Sequence, residues 1–163
     1  MDRESLGERL PGRFVVVGVG NVLKGDDGVG PAVARALGDR FPDRVFDAGS
    51  APENYLGPLR RAEADFVLLV DAADFGGRPG DVRLLGQDDV DGAGIATHAA
   101  PLGMVMRALS EELGVETLLL AVQAGHTRLG EPMSDEVTAA CERIISELVE
   151  ALEEGSTAME AQP

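Results

Sequence analysis

The sequence VVVGVGNVLKGDDGVGP, residues 15–31, contains the stretch that decides the fold. Its first residues belong to an apolar run, residues 14–17, that predicts a buried β-strand. It ends at Pro31, and proline is favoured in the first turn of a helix. Between strand and helix stand two adjacent carboxylates, Asp26 and Asp27, flanked by glycines. This order indicates an open α/β sheet, in which ligands bind at the carboxyl ends of the strands.

Three interpretations of this turn are open. Gly18 and Gly20 begin a dinucleotide-binding fingerprint, but Leu23 stands where a third glycine would be expected. An acidic pair in the turn would also repel a pyrophosphate. Two carboxylates in a glycine-lined turn suit a cation better, and a plain polar turn before a helix is the simplest alternative.

Composition limits the classes of function. The chain has 163 residues, 44% of them apolar, which indicates one domain with a substantial core. A single cysteine excludes a disulfide framework within the chain, which fits the cytoplasm. No apolar run is long enough for a membrane span, and the first residues lack an apolar signal core. A net charge of −15 disfavours binding to nucleic acid and to anionic membranes.

The pattern along the chain predicts a flexible N-terminus at 1–12, a single α/β domain at 13–154 and a flexible tail at 155–163. Predicted strands lie near 14–18, 44–47, 66–70, 81–85 and 116–123. Four helices are predicted: the first begins near residue 30, the second ends near residue 62, the third spans 98–113, and the fourth begins near Ser134. The turn at 76–80 is too short for a crossover helix, so the fourth strand should run antiparallel or leave the sheet. Residues 88–97 are expected to form a mobile loop. The predicted fold is a doubly wound, mostly parallel sheet with one antiparallel strand and helices on both faces.

Chemically useful side chains follow three predicted strands. Asp26 and Asp27 follow the first strand, Asp71 ends the third, and Gln123 ends the fifth. His98 starts a helix after the predicted loop. If the strands are parallel neighbours, two carboxylates and an imidazole meet at one rim and form a transition-metal site, for nickel, zinc, iron or manganese alike.

Some of these residues have simpler explanations. His98 could be a surface histidine at a helix start, and His126 an ordinary loop residue or a spare ligand. Asp74 could cap the turn that follows it. Ser50 lacks the strand-to-helix elbow of a serine nucleophile, and Cys141 lies on an apolar helix stripe, where it is expected to pack in the core. Any peptide hydrolysis would therefore use a metal or an activated water.

Four motifs in order give a specific resemblance: GVGNVLKGDDGVG at 18–30, DAGSAPEN at 47–54, VDAADFG at 70–76 and TH at 97–98. Together they resemble the hydrogenase maturation endopeptidases, which trim the C-terminal extension from the large subunit of nickel-iron hydrogenases. The match covers about residues 14–150. The GSAPEN segment resembles the branch that serves formate-hydrogenlyase and related hydrogenases.

The resemblance implies roles for three residues. The family's metal-contacting positions fall on Asp27, Asp71 and His98, which would act in catalysis through the bound metal. Nickel would be carried by the substrate, the large-subunit precursor, although other divalent metals could bind in vitro. Cleavage in the family follows a basic residue of the precursor. No role is implied for His126.

The sequence therefore predicts a cytoplasmic endopeptidase that matures a nickel-iron hydrogenase large subunit. The 86–97 loop is expected to help admit the precursor's tail. Two alternatives stay open: a non-enzymatic nickel-sensing chaperone with the same site, and a nucleotide-binding α/β module.

Overall fold

The computed structural model describes residues 5–10, 12–92, 95 and 102–160. They form one five-stranded sheet flanked by helices. The strands are β1 (Phe14–Val19), β2 (Val45–Gly49), β3 (Phe66–Ala73), β4 (Val82–Leu85) and β5 (Glu116–Gln123). The helices are α1 (Leu6–Arg9), α2 (Val29–Gly38), α3 (Leu56–Arg61), α4 (Gln87–Gly92), α5 (Leu102–Leu113) and α6 (Asp135–Glu160). Two 3₁₀ turns, Gly25–Gly28 and Pro52–Tyr55, precede α2 and α3.

The strand order is β2-β1-β3-β5-β4, with β4 antiparallel to β5 and the other pairs parallel. The predicted fold class is confirmed. Because the connection from β3 to β4 is too short for a crossover helix, β4 cannot join as a parallel strand. It pairs in the reverse direction along the outer edge of β5.

Alternate residues of the central strands pack into two hydrophobic cores, one on each face of the sheet. From β3, Phe66, Leu68 and Val70 pack under α1, α2 and α6. Val67 and Leu69 face the opposite side, where α3, α4 and α5 cover them. Strand β3 is buried along its whole length, as expected for a parallel strand covered on both faces.

Strand β3 is longer than predicted, which changes the setting of Asp71. The strand continues to Ala73, and Asp71 pairs opposite Ala121 of β5. Asp71 therefore lies within the sheet, on the face covered by α5, and not in a loop after the strand.

A short helix occupies part of the predicted flexible N-terminus at 1–12. Helix α1 starts with a capping box, in which the Glu8 amide donates to Ser5 Oγ and the Ser5 amide donates to Glu8 Oε2. Leu6 and Leu10 are buried in the core beside α6. The prediction overlooked this pair of leucines, which lie four residues apart.

Helix α4 occupies the first part, 88–92, of the segment expected to be a mobile loop at 88–97; of the remainder, only residue 95 is among the described residues. Acidic residues made this stretch look like a solvated loop, but Val90 is buried against α5. Gln87 Nε2 donates to the Gly103 carbonyl at 2.8 Å, and Asp91 forms an ion pair with Arg107. The described part of the segment is therefore fastened to α5.

The last helix begins as predicted and runs further. The Ser134 hydroxyl accepts a hydrogen bond from the Val137 amide at 3.4 Å, so Ser134 caps α6. The backbone stays helical to Glu160, past Glu154, where we predicted the domain to end. Among the residues described, no helix has the length and apolar composition needed to cross a bilayer.

Candidate functional site

The 3₁₀ turn Gly25–Gly28 sends its two carboxylates in different directions. A 3₁₀ helix has about three residues per turn, so neighbouring side chains diverge by about 120°. Both aspartates are buried, but they contact different parts of the protein. Asp26 faces the loop between β5 and α6, and Asp27 faces the end of β1 and Asp71.

Asp26 is a structural anchor. Its Oδ2 accepts hydrogen bonds from the Gly125 amide at 2.7 Å, the His126 amide at 3.1 Å and the Ser134 hydroxyl at 3.0 Å. Its Oδ1 accepts from the Ser134 amide at 2.7 Å. Burial alone would raise the pKa of Asp26, but these hydrogen bonds outweigh it and hold the pKa below the ordinary value. The carboxylate therefore ties the turn to the start of α6.

Asp27 is held by the loop that follows β1. Its Oδ2 accepts a hydrogen bond from the Asn21 amide at 2.9 Å. The loop passes so close that a Cβ on Gly20 would lie 1.9 Å from the Asp27 carbonyl oxygen. Gly20 also has a φ of +143°, which other residues rarely adopt. Glycine at this position lets the chain turn tightly and fix Asp27.

Asp71 has the opposite environment to Asp26. Its side chain is 2% exposed, and its Oδ1 has no hydrogen-bond partner among the described residues. Burial, followed by the negative charge of Asp27, raises the pKa of Asp71 well above its ordinary value. The two carboxylates are therefore near enough to repel each other at the same edge of the sheet. A bound cation would relieve both the repulsion and the unpartnered oxygen.

The structure brings together two of the three predicted site residues. Asp27 and Asp71 converge because β1 and β3 are parallel neighbours, with Gly18 paired to Val70. The third, His98, lies outside the described residues. Within the described ranges, no three ligating side chains form a ready metal cluster. The role of the three residues as metal ligands stays a prediction.

Two other candidates hold the rim together. Gln123 Oε1 accepts from the Phe75 amide at 2.9 Å and the Gly77 amide at 3.1 Å, and its Nε2 donates to Asp74 Oδ1 at 3.2 Å. Asp74 also accepts from the Gly76 amide, as a turn cap should. Gln123 thus clamps the turn after β3.

His126 lies beside the turn, and within the described ranges it belongs to no group of three ligating side chains. Its ring packs on Gly25, where a Cβ would lie 2.6 Å from ring atoms. Its Nδ1 lies 4.0 Å from Glu131 Oε2, and its backbone carbonyl accepts from the Asp26 amide. The structure gives His126 a place in packing.

Neither Ser50 nor Cys141 has the setting of an activated nucleophile in the described part of the chain. The exposed Ser50 hydroxyl has no hydrogen-bond partner among the described residues, so no activating base contacts it there. Cys141 is 6% exposed in the core of α6, and burial raises the pKa of its thiol. A buried thiol with a raised pKa is a poor nucleophile.

Two features of the site escaped sequence analysis. The anchoring role of Asp26 depends on Ser134, which is 108 positions away in the chain. The second feature is a cleft of about 350 Å³ beside Asp71, under α5. The apolar stripe of α5 was visible in the sequence, but it indicated only core packing.

Comparisons with known proteins identify the family. A family model described as hydrogenase maturation protease (HycI) matches residues 31–151. The hydrogenase 3 maturation protease of Escherichia coli strain K12 is 34% identical over 137 residues, covering 82% of this chain and 87% of that protein.

Solved structures give the same result. The chain is similar to the crystal structure of a NiFe hydrogenase maturation protease HycI from Thermococcus kodakarensis, with a TM-score of 0.76 and 33% identity over 86% of this chain and 92% of that one. It is also similar to the hydrogenase maturating endopeptidase HybD from Escherichia coli, with a TM-score of 0.67 and 25% identity over 87% of this chain and 93% of that one.

Proposed function

The chain belongs to the hydrogenase maturation protease family, and from this premise we propose that it removes the C-terminal extension of a nickel-iron hydrogenase large-subunit precursor after recognising nickel already inserted there. In this proposal the metal is part of the substrate. The enzyme acts in the cytoplasm, which fits its single cysteine, and its partner is the precursor protein.

The observation that carries the proposal is the state of Asp71. When ionised, a buried carboxylate that lies beside a second one and has an oxygen without a partner among the described residues destabilises the protein unless a cation completes the site. A carboxylate pair with one imidazole suits a transition metal, and His98 would supply that imidazole. These three groups would leave coordination positions for ligands from the precursor.

The chain's own residues would position the nickel-loaded precursor and discriminate against free metal ions. The Asn21 amide fixes Asp27, and the β1–β3 pairing fixes Asp71, so the two carboxylates do not need to reorganise when the metal arrives. They would hold free nickel or other divalent metals only loosely, because the chain offers no pair of thiolates. A nickel ion already bound to the precursor would gain affinity from the second attachment. The peptide bond to be cut would then lie near the metal, and its hydrolysis would consume one water and leave a carboxylate on the large subunit and an amine on the released extension.

The family assignment favours this function over the two alternatives. The matched relatives are proteases and endopeptidases, which favours an enzyme over a nickel-sensing chaperone. The carboxylates at the end of β1 occupy the place where a nucleotide's pyrophosphate would need donors. A chaperone would bind the nickel-loaded precursor without shortening it.

The test mixes the purified protein with precursor prepared with and without nickel and follows the mass of the large subunit. We expect shortening of the nickel-loaded precursor alone. Equal cleavage of both precursors would contradict nickel recognition. A stable complex whose precursor keeps its full mass would instead support the chaperone.

A further inference from the structure

The cleft beside Asp71 is an apolar chamber that reaches one member of the carboxylate pair. Its volume is about 350 Å³, near the lower end of the roughly 300–1,000 Å³ range of ligand pockets. Asp71 lines one wall, so cleft and site are continuous. The apolar lining comes from β1, the Pro52–Tyr55 turn, α3 and α5: Val19, Pro52, Leu56, Leu102, Val105 and Leu109.

Three carboxylates border the cleft, and among the described residues only Glu112 forms an ion pair. Glu112 lies at its edge and is paired with Arg60 at 3.0 Å. Glu53 is a second carboxylate at the edge, and Asp71 is a third on the inner wall. An acidic side chain would be repelled here, and apart from these carboxylates the only polar side chain in the lining is that of Ser50. The chemistry fits an uncharged apolar side chain.

An exposed methionine marks the mouth of the cleft. Met104 is 68% exposed, one of five large apolar side chains that reach the surface within the described residues. Methionine adapts its shape to apolar partners more readily than branched residues do. Ala108, also exposed, stands one helical turn further along α5 on the same wall. The mouth is therefore apolar, unpartnered and adaptable.

We propose that this cleft is a specificity subsite that takes an apolar side chain of the precursor's extended peptide, next to the bond that is cut. The inference rests on the proposed function. An extended chain advances about 3.3–3.6 Å per residue. If the bond to be cut lies at Asp27 and Asp71, a side chain one or two residues away from it along the peptide would therefore reach the cleft.

The experiment compares a substitution that fills the cleft with the same substitution at a site away from the cleft. Ala108→Phe places a ring in the mouth from an exposed helical position. The control, Ala139→Phe, makes the same change at an exposed position of α6, beside a separate groove next to β4. Circular dichroism and thermal unfolding establish that both variants fold.

Two readouts are measured for wild type and both variants. The first is the binding of a fluorescent peptide spanning the junction of the large subunit and its extension, followed by anisotropy. The second is the KM for cleavage of nickel-loaded precursor. We expect Ala108→Phe to weaken peptide binding and raise the KM at least tenfold, and Ala139→Phe to match wild type. Serine in place of one apolar residue of the peptide should weaken binding to wild type similarly.

The outcomes separate the subsite from the proposed function. The subsite would be overturned, even if cleavage proceeds, by either of two results. One is that Ala108→Phe binds the peptide as tightly as wild type does; the other is that wild type binds every serine-substituted peptide as tightly as the unsubstituted one. If wild type fails to cleave the precursor but Ala108→Phe still weakens peptide binding, the proposed function fails and the subsite stands.

Discussion

Asp26 and Asp71 are both buried aspartates near the same turn, and the protein treats them in opposite ways. Asp26 accepts four hydrogen bonds and has a lowered pKa. Asp71 has an oxygen without a partner among the described residues, a negative neighbour and a raised pKa. The difference shows that burial does not by itself reveal function. The satisfied carboxylate holds the fold together, whereas the other is the one that we propose binds a ligand.

The largest expected effect is on cleavage. Asp71→Asn and Asp27→Asn each remove a charge that would hold the metal. We expect each to lower the cleavage rate by at least about 100-fold, because losing even a residue that only hydrogen-bonds a metal ligand costs up to about 100-fold. The measurement is the rate of precursor shortening by mass spectrometry.

The matched control for these variants is Asp39→Asn. It makes the same charge change at the opposite end of α2, at an exposed position. It should cleave at the wild-type rate. Wild-type cleavage by Asp71→Asn would remove Asp71 from the site.

The next effect is on stability. Asp26→Ala leaves the amides of Gly125 and Ser134 without their acceptor, and we expect it to lower the free energy of unfolding by about 2 kcal/mol. Because the pKa of Asp26 is lowered in the fold, its contribution is present above the unfolded value of 3.8 and is lost as the pH falls through the folded pKa.

Urea unfolding at pH 7 and at acidic pH checks this prediction. The difference between wild type and Asp26→Ala should shrink on acidification. An Asp26→Ala variant as stable as wild type at pH 7 would mean that Asp26 is not an anchor.

The smallest effect should come from Cys141. Cys141→Ala removes one small buried group from the α6 core, and we expect a loss of about 1 kcal/mol in stability and an unchanged cleavage rate. Steady-state cleavage by the variant is the measurement. Abolished cleavage in a folded Cys141→Ala variant would point to a thiol mechanism.

The fold could be predicted from the sequence, and so could the position of Asp27 and Asp71 at one end of the sheet. The alternation of apolar strands with helical stripes predicted the sheet, and the short turn at 76–80 predicted the antiparallel β4. Asp27 and Asp71 could be placed at one rim because parallel strands end together.

The rest depended on contacts between distant parts of the chain. Asp26 and Asp27 are neighbours with the same chemistry, so nothing local distinguishes the anchor from the candidate ligand; the distinction comes from Ser134. Helix α4 was missed for a similar reason, since Val90 is a single apolar residue among acids and only its burial against α5 makes the segment regular.

The most direct test of the contrast is the stability of Asp71→Asn in the absence of metal. The raised pKa of Asp71 means that its protonated form stabilises the fold below the unfolded pKa of 3.8, and that this stabilisation is lost as the pH rises through the folded pKa. Asparagine avoids the buried charge at every pH. The free energy of unfolding, measured in urea at pH 8 and at pH 5, should be higher for Asp71→Asn than for wild type at pH 8, with a smaller difference at pH 5. A variant less stable than wild type at pH 8 would contradict the claim that Asp71 is kept unsatisfied for a cation.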